Sequence, residues 1–316
     1  MRTAAYLLAC IATSTAVLVG IMSISFLTIV GSIPLYALIE RLGFIAIVAI
    51  SAVIAIIIMI HDLTLSSDVN PGLLELANSL NPYALICRRL ANVMGIEEEF
   101  RIYISPRLPL AAYIFKERGC RCYGLVIGLL IAKFPLEEVT AIIAHEIAHL
   151  KRGDVCLGSL ITLPHRVTGK FLRVTKKAIK ILAKSVIGWP LLPFACIAYL
   201  VLFIVHAPTT LISRVVNRHM ELGADQLAAK YIDPKDLAKA LARYEEIFRE
   251  LVITLSLGDI SLVESLDPRA IHVDLSKYLK ARLSFWDRLY YAFMSTHPST
   301  SVRIKKLLEL SPIISS

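Results

Sequence analysis

Residues 135–154 read PLEEVTAIIAHEIAHLKRGD, and this stretch decides how the rest of the chain is read. Pro135 with Glu137 and Glu138 makes a good helix start, because Pro is tolerated in the first turn and acids suit the N-terminal dipole. Lys151 and Arg152 close the helix with the opposite sign. His145 and His149 are four apart, so they share one helix face and both imidazoles can reach one metal ion. Glu146 follows the first histidine and can act as a general base toward water at that metal.

A catalytic zinc site takes a third protein ligand and keeps a position open for water. Downstream, residues 218–225 read RHMELGAD, placing Glu221 and Asp225 on one helix face. Alone, such an i,i+4 acid pair is an ordinary surface pattern. After an HExxH motif, Glu221 reads as the third ligand and Asp225 as the acid that takes a histidine N–H. Near the C-terminus, STHPSTSVRI (295–304) can bring His297 over the site as a donor to a developing oxyanion. Arg303 can anchor that segment on an acid near the site. The other histidines receive no ligand role: His61 and His206 end apolar runs, and His165 has no partner in sequence.

Composition sets the surroundings. Of 316 residues, 56% are hydrophobic and 19% charged, against about 45–50% and about 25% in soluble domains. Disorder, a collagen-like repeat and an ordinary soluble enzyme are thereby disfavoured, and a membrane protein with one soluble domain is expected. Ala4 to Val30 carries no charged side chain, and 43–60 is a second uncharged run. With Gly31, Ser32 and Pro34 between them, these predict a transmembrane hairpin. A third apolar run, 186–207, follows a basic stretch (166–184) with interleaved apolar residues, which reads as an amphipathic helix on an anionic, cytoplasmic membrane face. The net charge of +9 is assigned to that face and not to nucleic acid. Zinc ligands on both sides of 155–208 must face one compartment, so the crossings between them are even in number. A re-entrant or interfacial pair pivoting near Pro190 to Pro193 is the favoured solution, with 155–182 as the alternative partner. The apolar run Val155–Leu163 can also extend the catalytic helix. The six cysteines are scattered and read as packing residues.

Phe100–Ile104, Ala111–Phe115 and Cys122–Ile127 are short β-branched or aromatic runs, expected to form a small antiparallel sheet. The fold class expected is α+β, mostly helical: an integral membrane protein with a zincin-like catalytic domain. The expected organisation is a transmembrane hairpin at 1–62 and a first catalytic part at 63–165. A basic helix and membrane segment follow at 166–208, then a second catalytic part at 209–316.

The segments AAYIF, GLLIAKFPLEEVTAIIAHEIAHLKRGD, NRHMELGADQLAAK and STHPSTSVRIKKL, in that order, resemble the HtpX-like membrane zinc metallopeptidases, relatives of the CAAX prenyl proteases. The resemblance implies one zinc per chain on His145, His149 and Glu221, with Glu146 as base and His297 as a catalytic donor. It implies supporting roles for Asp154, Arg218, Asp225 and Arg303. It also implies peptide or protein substrates, membrane-protein quality control, and a multi-pass protein of the cell membrane with its site facing the cytoplasm. The family usually carries Asn-Ala-Phe on the strand bordering the substrate cleft; Ala111, Ala112 and Tyr113 stand there, so that amide donor is absent. The rival readings are a prenyl-protein protease and a non-catalytic zinc-bearing membrane scaffold.

Overall fold

The computed structural model of the chain describes residues 74–75, 81–117, 122–256, 266–293, 295 and 297–311. The expected hairpin at 1–62 lies outside the described residues. Among these, Leu157–Val216 forms one compact unit, and the segments before Leu157 and after Val216 form another.

The larger unit holds the sheet and the HExxH helix. Its strands are β1 (Leu74–Glu75), β2 (Glu99–Ser105), β3 (Ala112–Lys116) and β4 (Cys122–Gly128), in the spatial order β1-β2-β4-β3. The sheet is mixed, which corrects the antiparallel expectation. β3 and β4 pair antiparallel, whereas β2 and β4 pair in parallel, with Glu99 opposite Cys122. The physical reason is burial. β4 is buried at all but one position, so it takes an inner place, as nearly continuous apolar strands do. β3, more exposed, is left at the edge. Cys122 is buried and disulfide-bonded, so it is more than the packing residue expected.

Helix α1 (Pro82–Val93) is capped by Asn81, whose side chain accepts from the Tyr83 N–H. It packs on α2 (Leu136–Lys151). On α2, Val139, Ile143 and Ile147 are fully buried, as are Ala141, Ala144 and Ala148. The alanines let neighbouring helices approach closely, and the larger side chains fill the space beside Phe134, Leu125 and Ile127. The other face of this core is α5 (Pro234–Ser256), which packs on α2 and on the C-terminal helix α8 (Thr300–Glu309). The short helices α6 (Leu275–Lys280) and α7 (Phe285–Phe293) lie between α5 and α8 in sequence.

In the smaller unit the basic stretch belongs to α3 (Asp154–Leu182). A 3-10 turn (Val186–Leu191) leads into α4 (Leu192–Ala228). Two expectations are corrected here. The catalytic helix does not run on into 155–163, because Gly153 adopts a left-handed conformation (φ 74°) that ends α2. This is the usual glycine stop, since a side chain there would be strained. Nor is 186–207 a broken re-entrant pair. Pro190 sits in the 3-10 turn, and Pro193 in the first turn of α4, where its missing N–H is not needed. The two prolines mark a start, and α3 is the partner of α4. His165 stacks on His206 with ring centroids 4.7 Å apart, and Thr168 and Thr210 bond across the same seam. Gly188–Ala228 is long and apolar enough to cross a membrane, and Phe194, Ile197, Leu200, Phe203 and Ile204 along it are exposed.

One buried ion pair clamps the larger unit. Arg243 of α5 donates from Nε and Nη2 to the two oxygens of Glu138 on α2, at 2.7 and 2.9 Å, and from Nη1 to the carbonyls of Pro268 and Ile271. Arg243→Met strands a buried carboxylate and two carbonyl acceptors, and is expected to destabilise the fold by about 3–5 kcal/mol. Thermal melting in detergent checks this, and the double variant Glu138→Leu/Arg243→Met should recover part of the loss because no lone charge is left behind.

Candidate metal centre

α2 carries His145 and His149 on one face, and the last turns of α4 carry Glu221 and Asp225. The structure brings His145, His149 and Glu221 together. The two histidine Nε2 atoms are 3.2 Å apart, and each is 3.6 Å from a Glu221 oxygen. Three ligand atoms held tetrahedrally about 2.1 Å from zinc lie about 3.4 Å from one another. The triangle therefore has the size of a zinc site.

The far side of each ring is already engaged. His149 Nδ1 lies 3.0 Å from Asp154 Oδ2, and His145 Nδ1 lies 3.0 Å from Asp225 Oδ1, the latter a charge contact not aligned as a hydrogen bond. These contacts turn both Nε2 atoms toward the common centre, as carboxylate–histidine pairs do around metals. Asp154 reaches its place because the Gly153 turn directs the chain back at the end of α2. Arg152 donates to the same Asp154 oxygen at 3.0 Å, and its guanidinium lies over Gly223. A Cβ at Gly223 would come within 2.4 Å of that guanidinium. The glycine between Glu221 and Asp225 thus makes room for the charge that holds Asp154.

Arg303 of α8 is buried and bidentate on Asp225, with both bonds at 2.7 Å, and its third nitrogen is 2.9 Å from Glu221. Burial works against its charge, but Asp225, Glu221 and Glu146 outweigh this and raise its pKa. Burial also works against the charged form of His145, yet Asp225 and Glu221 push its pKa up to about 10. His149 follows the same pattern through Asp154 and Glu221. Burial raises the Glu146 carboxyl, against the downward pull of the two histidines. Glu146, Asp154, Glu221 and Asp225 face Arg152 and Arg303. Around neutral imidazoles that leaves two uncompensated negative charges, the complement of one divalent cation.

His297 is exposed, with Nδ1 3.4 Å from Glu221. Arg218 donates to the carbonyls of Tyr291 and Ser295, at 2.5 and 3.1 Å, and so holds the segment that leads into His297. Ser295 tightens that turn by donating to the His297 carbonyl at 2.7 Å.

A cavity of about 400 Å³ opens on the centre, with His145, Glu146, Glu221, His297 and Arg303 on its wall. Ala111 and Ala112 line it, at the start of edge strand β3, whereas Tyr113 turns to Phe115 with ring centroids 6.2 Å apart. The Ala111 carbonyl accepts from the Gly128 N–H at 2.7 Å, fixing the entry to β3. Sequence reasoning missed the contribution of α5, which lends Leu237, Leu241 and Tyr244 to the wall. Their four- and three-residue spacing marks a helix face, but one indistinguishable in sequence from core.

The fold and this centre define a metallopeptidase-type HExxH site. The model of peptidase family M48 matches residues 86–311, and the chain belongs to that family. It is HtpX-like. It is 28% identical over 235 residues to a "Protease HtpX homolog" of Sulfurihydrogenibium sp., covering 70% of this chain and 71% of that protein. It is 28% identical over 240 residues to "Protease HtpX homolog 1" of Saccharolobus solfataricus, covering 71% and 73%. Another homologue, from Methanocaldococcus jannaschii, is 26% identical over 185 residues, and the match spans 56% of its length. The crystal structure of S. mikatae Ste24p aligns with a TM-score of 0.47 at 14% identity, over 90% of this chain and 63% of that one.

Asp154→Ala and Asp225→Ala each remove a group that orients a ligand without removing a ligand. Each is expected to lower zinc affinity about 10–100-fold, to be measured by competition with a chromogenic chelator.

Proposed function

We propose that this metallopeptidase is a membrane-bound zinc endopeptidase that cleaves membrane or misfolded proteins in quality control, as a multi-pass protein whose site faces the cytoplasm. The observation that carries the peptidase chemistry is Glu146. It lies one residue from a ligand histidine and opens on the same cavity as His145 and Glu221, beside β3, an edge strand among the described residues. A structural zinc site would fill the fourth position with protein; among the described residues the metal-binding group is His145, His149 and Glu221 alone.

One zinc ion is held by His145, His149 and Glu221. When bound it supplies Lewis-acid polarisation and acidifies water. An extended peptide adds to β3 by backbone hydrogen bonds, past Ala111 and Ala112, with side chains against Leu241 and Tyr244. Alanine at 111 leaves that recognition to the backbone, which tolerates many sequences. Glu146 takes the proton from the attacking water as its oxygen bonds to the scissile carbonyl carbon. It then delivers that proton to the amide nitrogen as the C–N bond breaks. His297, placed by the segment that Arg218 holds, donates to the carbonyl oxygen as charge develops on it. Exposed apolar side chains along α4 support membrane attachment, and cleavage near the bilayer suits membrane-protein substrates.

Glu146→Gln is expected to retain one zinc per chain by metal analysis and to lose casein cleavage by at least about 100-fold. Glu221→Ala should lose zinc as well. Undiminished cleavage by Glu146→Gln would overturn the base assignment. Preference for a farnesylated peptide over casein would favour the prenyl-protein rival.

A further inference from the structure

The smaller unit contains a second cavity, of about 460 Å³, lined by His165, Arg166, Gly169, Lys170, Leu172, Arg173, Lys176, Tyr199 and His206. Arg166, Lys170, Arg173 and Lys176 recur every three or four residues and share one face of α3. Tyr199 and His206 are seven apart and share one face of α4. No Asp or Glu occurs from Val155 to Met220, so neither helix supplies a carboxylate to Arg173 or Lys176 within that span.

The histidines are fixed in a defined state. Thr168 commits its proton to the Pro164 carbonyl at 2.7 Å, and Thr210 commits its own to the His206 carbonyl at 2.7 Å. Each hydroxyl can then only accept from a ring: Thr168 from His206 Nδ1 at 2.8 Å, Thr210 from His165 Nδ1 at 2.9 Å. Both rings are therefore Nδ1–H donors toward threonine, and Nε2 remains as an acceptor for a hydroxyl. Gly169 allows this, since a Cβ there would stand 3.3 Å from the His206 ring. The ligand that suits the cavity carries negative charge for Arg173 and Lys176 and a hydroxyl for an imidazole. Its position between a basic helix and an apolar helix with exposed Phe203 and Leu200 adds a hydrocarbon part. Basic pockets between membrane helices take anionic headgroups for these reasons.

We propose that this cavity binds the glycerophosphate headgroup of an anionic phospholipid, with its acyl chains along the exposed face of α4. The inference does not depend on the peptidase reading. The full chain in non-ionic detergent is titrated with dioleoylphosphatidylglycerol, dioleoylphosphatidylcholine or sodium phosphate, and bound mass is read by native mass spectrometry. A single phosphatidylglycerol is expected to bind, resisting displacement by phosphate, with phosphatidylcholine bound far less. Arg173→Gln/Lys176→Gln should weaken binding roughly 30-fold, as two lost cations predict. Lys177→Gln/Lys180→Gln makes the same change of charge on α3 outside the cavity and should leave binding nearly unchanged. The conservative pair Arg173→Lys/Lys176→Arg should keep it, which separates lost charge from lost fold. Equal weakening by the two glutamine pairs, or equal binding of phosphatidylcholine, would overturn the site. Displacement of the lipid by millimolar phosphate would make the ligand a soluble phosphate and overturn the lipid assignment.

Discussion

Two imidazole Nε2 atoms and one carboxylate oxygen have to meet at the spacing a metal ion sets, and much of the larger unit follows from that demand. A histidine ring has two nitrogens, and one can be aimed inward only if the other is held outward. Asp154 and Asp225 do the holding. Each aspartate is in turn fixed by an arginine: Arg152 on the first, Arg303 on the second. The centre is thus a shell of alternating charge, and its outer members come from α3, α4 and α8. Bringing those residues to the histidines requires glycine at 153 to turn the chain and at 223 to admit Arg152.

Buried charge appears a second time on the same helix. Glu138 at the start of α2 and Arg243 on α5 form a paired, fully bonded contact. Such pairs add little net stability over apolar packing, but they strongly penalise any arrangement that separates them. The consequence for the site is registration. With the start of α2 pinned to α5, α5 completes the core through Leu237, Ala238, Ala242 and Ile247, while Leu241 and Tyr244 line the cavity and Leu237 reaches it from the core. Core and cavity share one helix, so α5 cannot shift without changing both.

The chain leaves this unit after α2 and returns before Glu221, and the intervening helices have a different character. α3 is basic and α4 is apolar along exposed positions, and they meet at a polar seam of stacked histidines and threonines. Polar groups between apolar helices are satisfied where they meet one another, because unpaired polar groups are costly away from water. The seam sets which face of each helix is inward, and so gathers the cations of α3 on one cavity. His165 had no partner in sequence and His206 read only as the end of an apolar run, since the contact joins residues far apart in the chain.

Local chemistry was legible in the sequence. The i,i+4 pairs His145/His149 and Glu221/Asp225, the helix start at Pro135, the three strand segments and the basic stretch at 166–184 depend on neighbours within a few residues, so spacing alone exposes them. Asp154 owes its place to the adjacent Gly153 turn, and spacing did not reveal that turn. What needed the tertiary structure were the contacts between distant segments: the parallel pairing of β2 with β4, Arg243 on Glu138, Arg303 on both Asp225 and Glu221, and Arg218 on the carbonyls of Tyr291 and Ser295. The prolines near 190 show why local reading stops there. A proline forbids a bond at one position, but whether it bends, breaks or begins a helix depends on which distant segment packs beside it.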